Sequence, residues 1–230
     1  MHENLIRLKA VCEALKGLKQ DYVFVGGATV SLYATHQDLA DEIRPTDDVD
    51  VIVELATYAG YSDLDERLRN LKFANDMASG VLCRYKYQGI IVDVMPTDPA
   101  AIGFSNRWYP DGFKNAVNYQ LDNETVIKIF TLPYFIASKW EAFKGRGKND
   151  YRTSKDFEDL IFVIENCEDF HEQLKIAPQD IRAWLKEEWE PLIETDSFEE
   201  GIYAHLSGGY GGKDANYIKI SIAEGLDIPL

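Results

Sequence analysis

Cysteine is too scarce and too scattered to build anything. The chain of 230 residues has three, Cys12, Cys83 and Cys167, with no Cys-x-x-Cys pair, which excludes zinc ribbons and a disulfide framework; Cys83 and Cys167 lie in apolar runs and read as reduced core residues. The four histidines, His2, His36, His171 and His205, have no metal-ligand spacing. No uninterrupted apolar run reaches the length needed to cross a bilayer. The start, Met1-His2-Glu3-Asn4, lacks a basic region followed by an apolar stretch, so the expected location is the cytoplasm and no membrane partner is expected. Positive charge is also in short supply. With 24 basic against 39 acidic residues the net charge is −15. A surface of that sign repels phosphate backbones, so stable DNA binding is not expected. Repeats and low-complexity tracts are missing too.

What is present is enough apolar material, 46% of residues, to bury a core or two small ones. Helix periodicity marks residues 4–18 (Leu5, Leu8, Val11, Leu15, Leu18) and 61–73 (Leu64, Leu68, Leu71). Tyr22–Val25 reads as a short strand ending at Gly26-Gly27, followed by a helix-like stretch over 28–35. A further strand is predicted over 48–54. Val81–Tyr87 and Ile90–Met95 read as a hairpin across Gln88-Gly89. Residues 99–123 are poorly periodic and read as loops, and Thr125–Phe130 as a last strand. Thr131-Leu132-Pro133 opens a helix with proline in its first turn. Helical patterns then dominate at 155–166 (capped by Thr153 or Ser154), 178–190, 196–206 and 216–226. The expected class is α+β, a mixed sheet flanked by helices and then a mainly helical C-terminal region. The expected division is a mixed domain over 1–130 and a helical one over 131–230.

The chemistry concentrates in Thr46-Asp47-Asp48-Val49-Asp50-Val51-Ile52-Val53. Along a strand successive side chains alternate, so Asp48 and Asp50 project to one face and Val49, Val51 and Val53 to the other. Asp47 points away from the pair and reads as a turn or cap residue. Carboxylates held so close repel unless a cation lies between them, and a divalent metal with oxygen ligands meets that need. Asp93 interrupts the apolar run Ile90–Met95, a costly position without a partner. Gly26-Gly27, between a strand and a helix start, suits an anion such as a phosphate.

Taken together, Gly26-Gly27, Asp48-Val49-Asp50 and Asp93 resemble the nucleotidyltransferase signature of the DNA polymerase beta superfamily. Arg44-Pro45-Thr46-Asp47-Asp48-Val49-Asp50, Lys139-Trp140-Glu141-Ala142-Phe143 and Ser154-Lys155-Asp156-Phe157-Glu158-Asp159 are similar to segments of its AbiEii-like group, over roughly residues 20 to 165. The resemblance implies a nucleotidyltransferase-type sheet and transfer of a nucleoside monophosphate from an NTP to a hydroxyl. It implies Asp48, Asp50 and Asp93 as catalytic metal ligands for Mg²⁺ or Mn²⁺. Gly26, Gly27, Lys139, Thr46 and Arg44 would bind nucleotide, with Asp156 and Asp159 in support. On the toxin side of that group the acceptor is RNA such as tRNA, or protein, and a cognate antitoxin is an expected partner. A small-molecule acceptor such as a cationic aminoglycoside suits the acidic surface better, and a non-catalytic, nucleotide-binding regulator is the third class. Gly208-Gly209-Tyr210-Gly211-Gly212-Lys213 has the composition of a phosphate loop without its preceding strand, and reads as a connector.

Overall fold

The computed structural model describes residues 2–36, 43–206 and 213–230; the glycine-rich segment from Gly208 to Gly212 lies outside them. The fold is α+β. Packing divides it into two compact units, Met1–Thr29 with Pro45–Thr131, and Val30–Arg44 with Leu132–Leu230.

The first unit is built on a mixed sheet of seven strands among the described residues: β1 (Tyr22–Val25), β2 (Asp48–Val53), β3 (Ala74–Asn75), β4 (Arg84–Tyr87), β5 (Ile90–Pro96), β6 (Val117–Gln120) and β7 (Val126–Ile129). Their spatial order is β3-β4-β5-β2-β1-β7-β6. β2 runs parallel to β5 and β1 parallel to β7, while the other neighbours are antiparallel. β2 is central because it is apolar wherever it faces the core: Val49, Val51, Ile52 and Val53 are fully buried, each stabilising the fold by about 1.5–3 kcal/mol. α1 (Glu3–Leu15) and α2 (Tyr58–Asn70) accompany the sheet, burying Leu8, Val11 and Leu15, and Leu64 and Leu68. The Thr57 side chain accepts the Gly60 N–H to start α2, satisfying one donor that the first turn leaves over.

The helix-like stretch expected after Gly26 is a 3₁₀ helix, Gly27–Tyr33. It is only seven residues long, and Thr29 N–H and Ala34 N–H reach back three residues, to Gly26 and Ser31. Two further expectations need correction. The strand expected from Val81 begins only at Arg84, because the Arg84 N–H donates back to the Val81 carbonyl and closes a turn in which Leu82 is exposed. The segment 99–123 is more ordered than loops: it holds α3 (Tyr109–Lys114) and β6. Gly112 lets α3 lie on Phe130, whose ring stands 2.6 Å from where a Cβ would be.

The second unit is helical: α4 (Leu132–Arg146), α5 (Lys155–Asn166), α6 (Phe170–Lys175), α7 (Gln179–Trp189), α8 (Asp196–His205) and α9 (Ala215–Leu226). Ser154 caps α5 by accepting the Phe157 N–H, with Asp156 and Glu158 in the first turn where the helix dipole favours acids. Asp214 caps α9 in the same way. The core is aromatic. Phe157 packs edge-on against Tyr151 and Phe198, and Trp140 against Trp189, with ring centroids 5.0–5.5 Å apart. Among the described residues no helix is long and apolar enough to cross a membrane.

Candidate metal and nucleotide site

β2 and β5 lie side by side in parallel register, with Asp50 opposite Asp93. Register partners share a face, and Asp48 joins them two residues earlier along β2. The sheet therefore brings Asp48, Asp50 and Asp93 to one face, while the valines between them go to the core. Asp48 is partly exposed, Asp93 is nearly buried, and Asp47 is exposed, away from the pair.

β1 brings the glycines. Its last residue, Val25, pairs with Asp50, so the chain turns at Gly26 directly beside that carboxylate. Gly26 has φ +75°, and a Cβ there would fall 1.8 Å from Asp50 Oδ2. Both the left-handed backbone and the close approach require glycine. The Gly26 carbonyl accepts from the Thr29 N–H and hydroxyl, closing the first turn of the 3₁₀ helix. Thr46, at the entry to β2, is buried; its N–H donates to Asn4 Oδ1 and its hydroxyl to the Asp48 carbonyl. It sets where β2 starts and hence the position of Asp48.

A residue that the sequence pattern did not single out completes this face. β4 and β5 form a hairpin whose two-residue turn, Gln88-Gly89, has φ of +49° and +86°, as a type I′ turn requires. Counting back from that turn, Arg84 stands opposite Asp93. Its guanidinium binds Asp93 with both prongs, Nε to Oδ1 at 2.8 Å and Nη2 to Oδ2 at 2.7 Å, and Nη2 lies 3.5 Å from Asp48 Oδ2. The fork matches a carboxylate. It raises the arginine pKa further, through the hydrogen bonds to Asp93 against a smaller loss from burial. Nearby Cys83 is inert, its thiol pushed up to about 12 by burial and by the charges of Asp93 and Asp50.

Among the described residues, no group of three or more acidic, histidine or cysteine side chains is closed around a cation position; between Asp48 and Asp93 the positive charge is the guanidinium. The donors themselves suit a hard divalent ion, since all three are carboxylates with no sulfur or imidazole among them, and the place between two of them accepts positive charge.

The remaining sequence candidates belong to the helical unit. Lys139, on α4, is buried, with its ammonium 2.6 Å from Asp159 and 3.3 Å from Asp156 on α5. Arg146 binds Asp156 with two nitrogens, at 2.7 and 2.8 Å. Arg44 reaches Glu158 at 2.8 Å and Asp159 at 3.1 Å, beside a cavity of about 210 Å³ that His205 also lines. Burial works to raise the Asp156 pKa, but the Arg146 hydrogen bonds and the Lys139 charge outweigh it and lower it. His36 faces Glu168 at 3.1 Å.

No protein-family model matches the chain, and no curated protein matches it. Among solved structures it is similar to an antigenic nucleotidyltransferase-like protein from Paracoccidioides brasiliensis, at 16% identity over 89% of this chain and 94% of that one, with a TM-score of 0.47. A likeness so distant leaves the chemistry to be read from the residues themselves.

Proposed function

We propose that the chain is a metal-dependent nucleotidyltransferase that moves a nucleoside monophosphate from an NTP to a hydroxyl acceptor. One observation carries this reading: the β2–β5 register sets Asp50 beside Asp93 with Asp48 on the same face, at the strand end where Gly26 turns against Asp50. Asp48 and Asp50 supply the shared oxygen ligands and Asp93 the third carboxylate. Mg²⁺ or Mn²⁺ bound there supplies charge neutralisation at the phosphates and a more acidic acceptor hydroxyl. The Gly26-Gly27 turn and the helix start behind it offer backbone N–H groups to the phosphate tail. Thr46 holds the start of β2 in place. Lys139, braced between Asp156 and Asp159, ties α4 to α5.

The acceptor is either RNA or protein, in keeping with the AbiEii-like sequence resemblance and a toxin role, or a small cationic molecule. The charge of −15 favours the small cation electrostatically. Incubation with labelled NTPs and fractions of RNA, protein or small metabolites separates these by where label appears. The reaction itself is tested by NTP-dependent pyrophosphate release in Mg²⁺ with Asp48→Ala alongside. The expected loss is on the order of a thousandfold, as for removal of a ligand that stabilises charge in the transition state. Equal rates in both proteins would remove the assignment.

A further inference from the structure

Arg84 is charged at any pH the protein meets, touches two of the three carboxylates and is not itself a metal ligand. Its contacts are those of a counterion: two short bonds to Asp93 and a longer one to Asp48. It is not locked in. A quarter of its side-chain surface is exposed, and it also lines a cavity of about 160 Å³ whose walls include Met77, Val81, Leu82 and the carboxylate-bearing Asp76. The guanidinium therefore sits between the Asp48–Asp93 acids and an open cavity, on whose wall Asp76 is held by Lys86 at 2.9 Å.

We propose that Arg84 is a displaceable internal cation: it occupies the Asp48–Asp93 position, and divalent metal enters as its guanidinium leaves toward the Asp76 cavity. The proposal rests on the metal-dependent reading above. Its logic is that a unit positive charge and a divalent cation compete for the same carboxylate oxygens at close range. While no metal is bound, the arginine offsets the repulsion between Asp48 and Asp93 and keeps them together. Once metal is bound, the freed guanidinium becomes a donor available to an anionic substrate.

The experiment is Mn²⁺ binding by titration calorimetry, without nucleotide, to the wild-type chain, Arg84→Gln and Arg84→Lys. Arg84→Gln removes the competitor and is expected to tighten Mn²⁺ binding about tenfold or more, whereas Arg84→Lys keeps the charge and stays near wild type. In parallel, the Arg84 Nε–H resonance of ¹⁵N-labelled wild type is followed as Mg²⁺ is added, and it is expected to move as the Asp93 bond breaks. Equal Mn²⁺ affinities in wild type and Arg84→Gln, or a resonance that stays put while Mg²⁺ binds, would overturn displacement and leave the metal site standing. No Mn²⁺ binding by any of the three would overturn both this inference and the proposed function.

Discussion

Two clusters of acids among the described residues are treated differently. In the helical unit, Asp156 and Asp159 share Lys139, and each has an arginine of its own, Arg146 or Arg44. In the sheet unit, Asp48 and Asp93 share the single guanidinium of Arg84, and the Asp48 contact is a long one. Asp156, Asp159 and Lys139 are nearly buried and fully paired, and such a cluster is bracing even though Arg146 itself is exposed. A carboxylate pair answered by one partly exposed arginine keeps capacity for a further cation. The contrast separates acids fully paired within the fold from the proposed metal ligands better than burial alone, since Asp93 is nearly as buried as Asp156.

The largest difference should appear on removing the cation from each. Lys139→Met leaves two nearly buried carboxylates short of a partner and is expected to cost about 3 kcal/mol in urea unfolding, at the lower end for a broken buried pair because Arg146 and Arg44 remain. A loss under 1 kcal/mol would show that the network is redundant. Gly26→Ala should come next, destabilising by about 2 kcal/mol through its φ and through the collision with Asp50; pyrophosphate release should fall with it. Arg84→Met, on the sheet side, is expected to cost no more than about 1 kcal/mol, since the pair is partly solvated. A cost equal to that of Lys139→Met would erase the distinction between the two clusters.

The smallest effect concerns acid. Asp156 has a lowered pKa in the folded state, so its contribution to stability is complete above the ordinary carboxylate value of 3.8 and is lost as the pH falls through the lower folded value. Replacing it with Asn should flatten the fall in stability below that pH. An acid limb of the same slope in Asp156→Asn would assign the loss to other carboxylates.

Much of this was legible in the amino-acid order. The alternation in Asp48–Val53 marks both the strand and its two faces, the apolar run around Asp93 marks β5, and the segments 155–166, 178–190 and 216–226 match helices to within a residue or two. Composition and spacing failed where tertiary register decides. Part of the repulsion between the acids is answered by a cation already encoded, Arg84, which counting back from Gln88-Gly89 sets opposite Asp93. Pro110-Asp111-Gly112 reads as a turn locally, yet Pro110 stands in the first turn of α3 and Gly112 seats that helix on Phe130. α6 has six residues and no side-chain cap, leaving little periodic signal to detect. Lys139 falls on an apolar stripe, and periodicity does not tell that its partners wait on the next helix.

The Gln88-Gly89 turn acts as a ruler. Loop tips of this kind ordinarily accept insertions at little cost, but here two residues and no more fix which side chain of β4 meets Asp93. Slipping the hairpin by one position would carry Tyr85, whose hydroxyl now donates to Asp65 at 2.9 Å, toward the acids and turn Arg84 to the opposite surface. Variation in length at this tip therefore bears on the charge balance between Arg84 and Asp93, which stand nine residues apart in sequence.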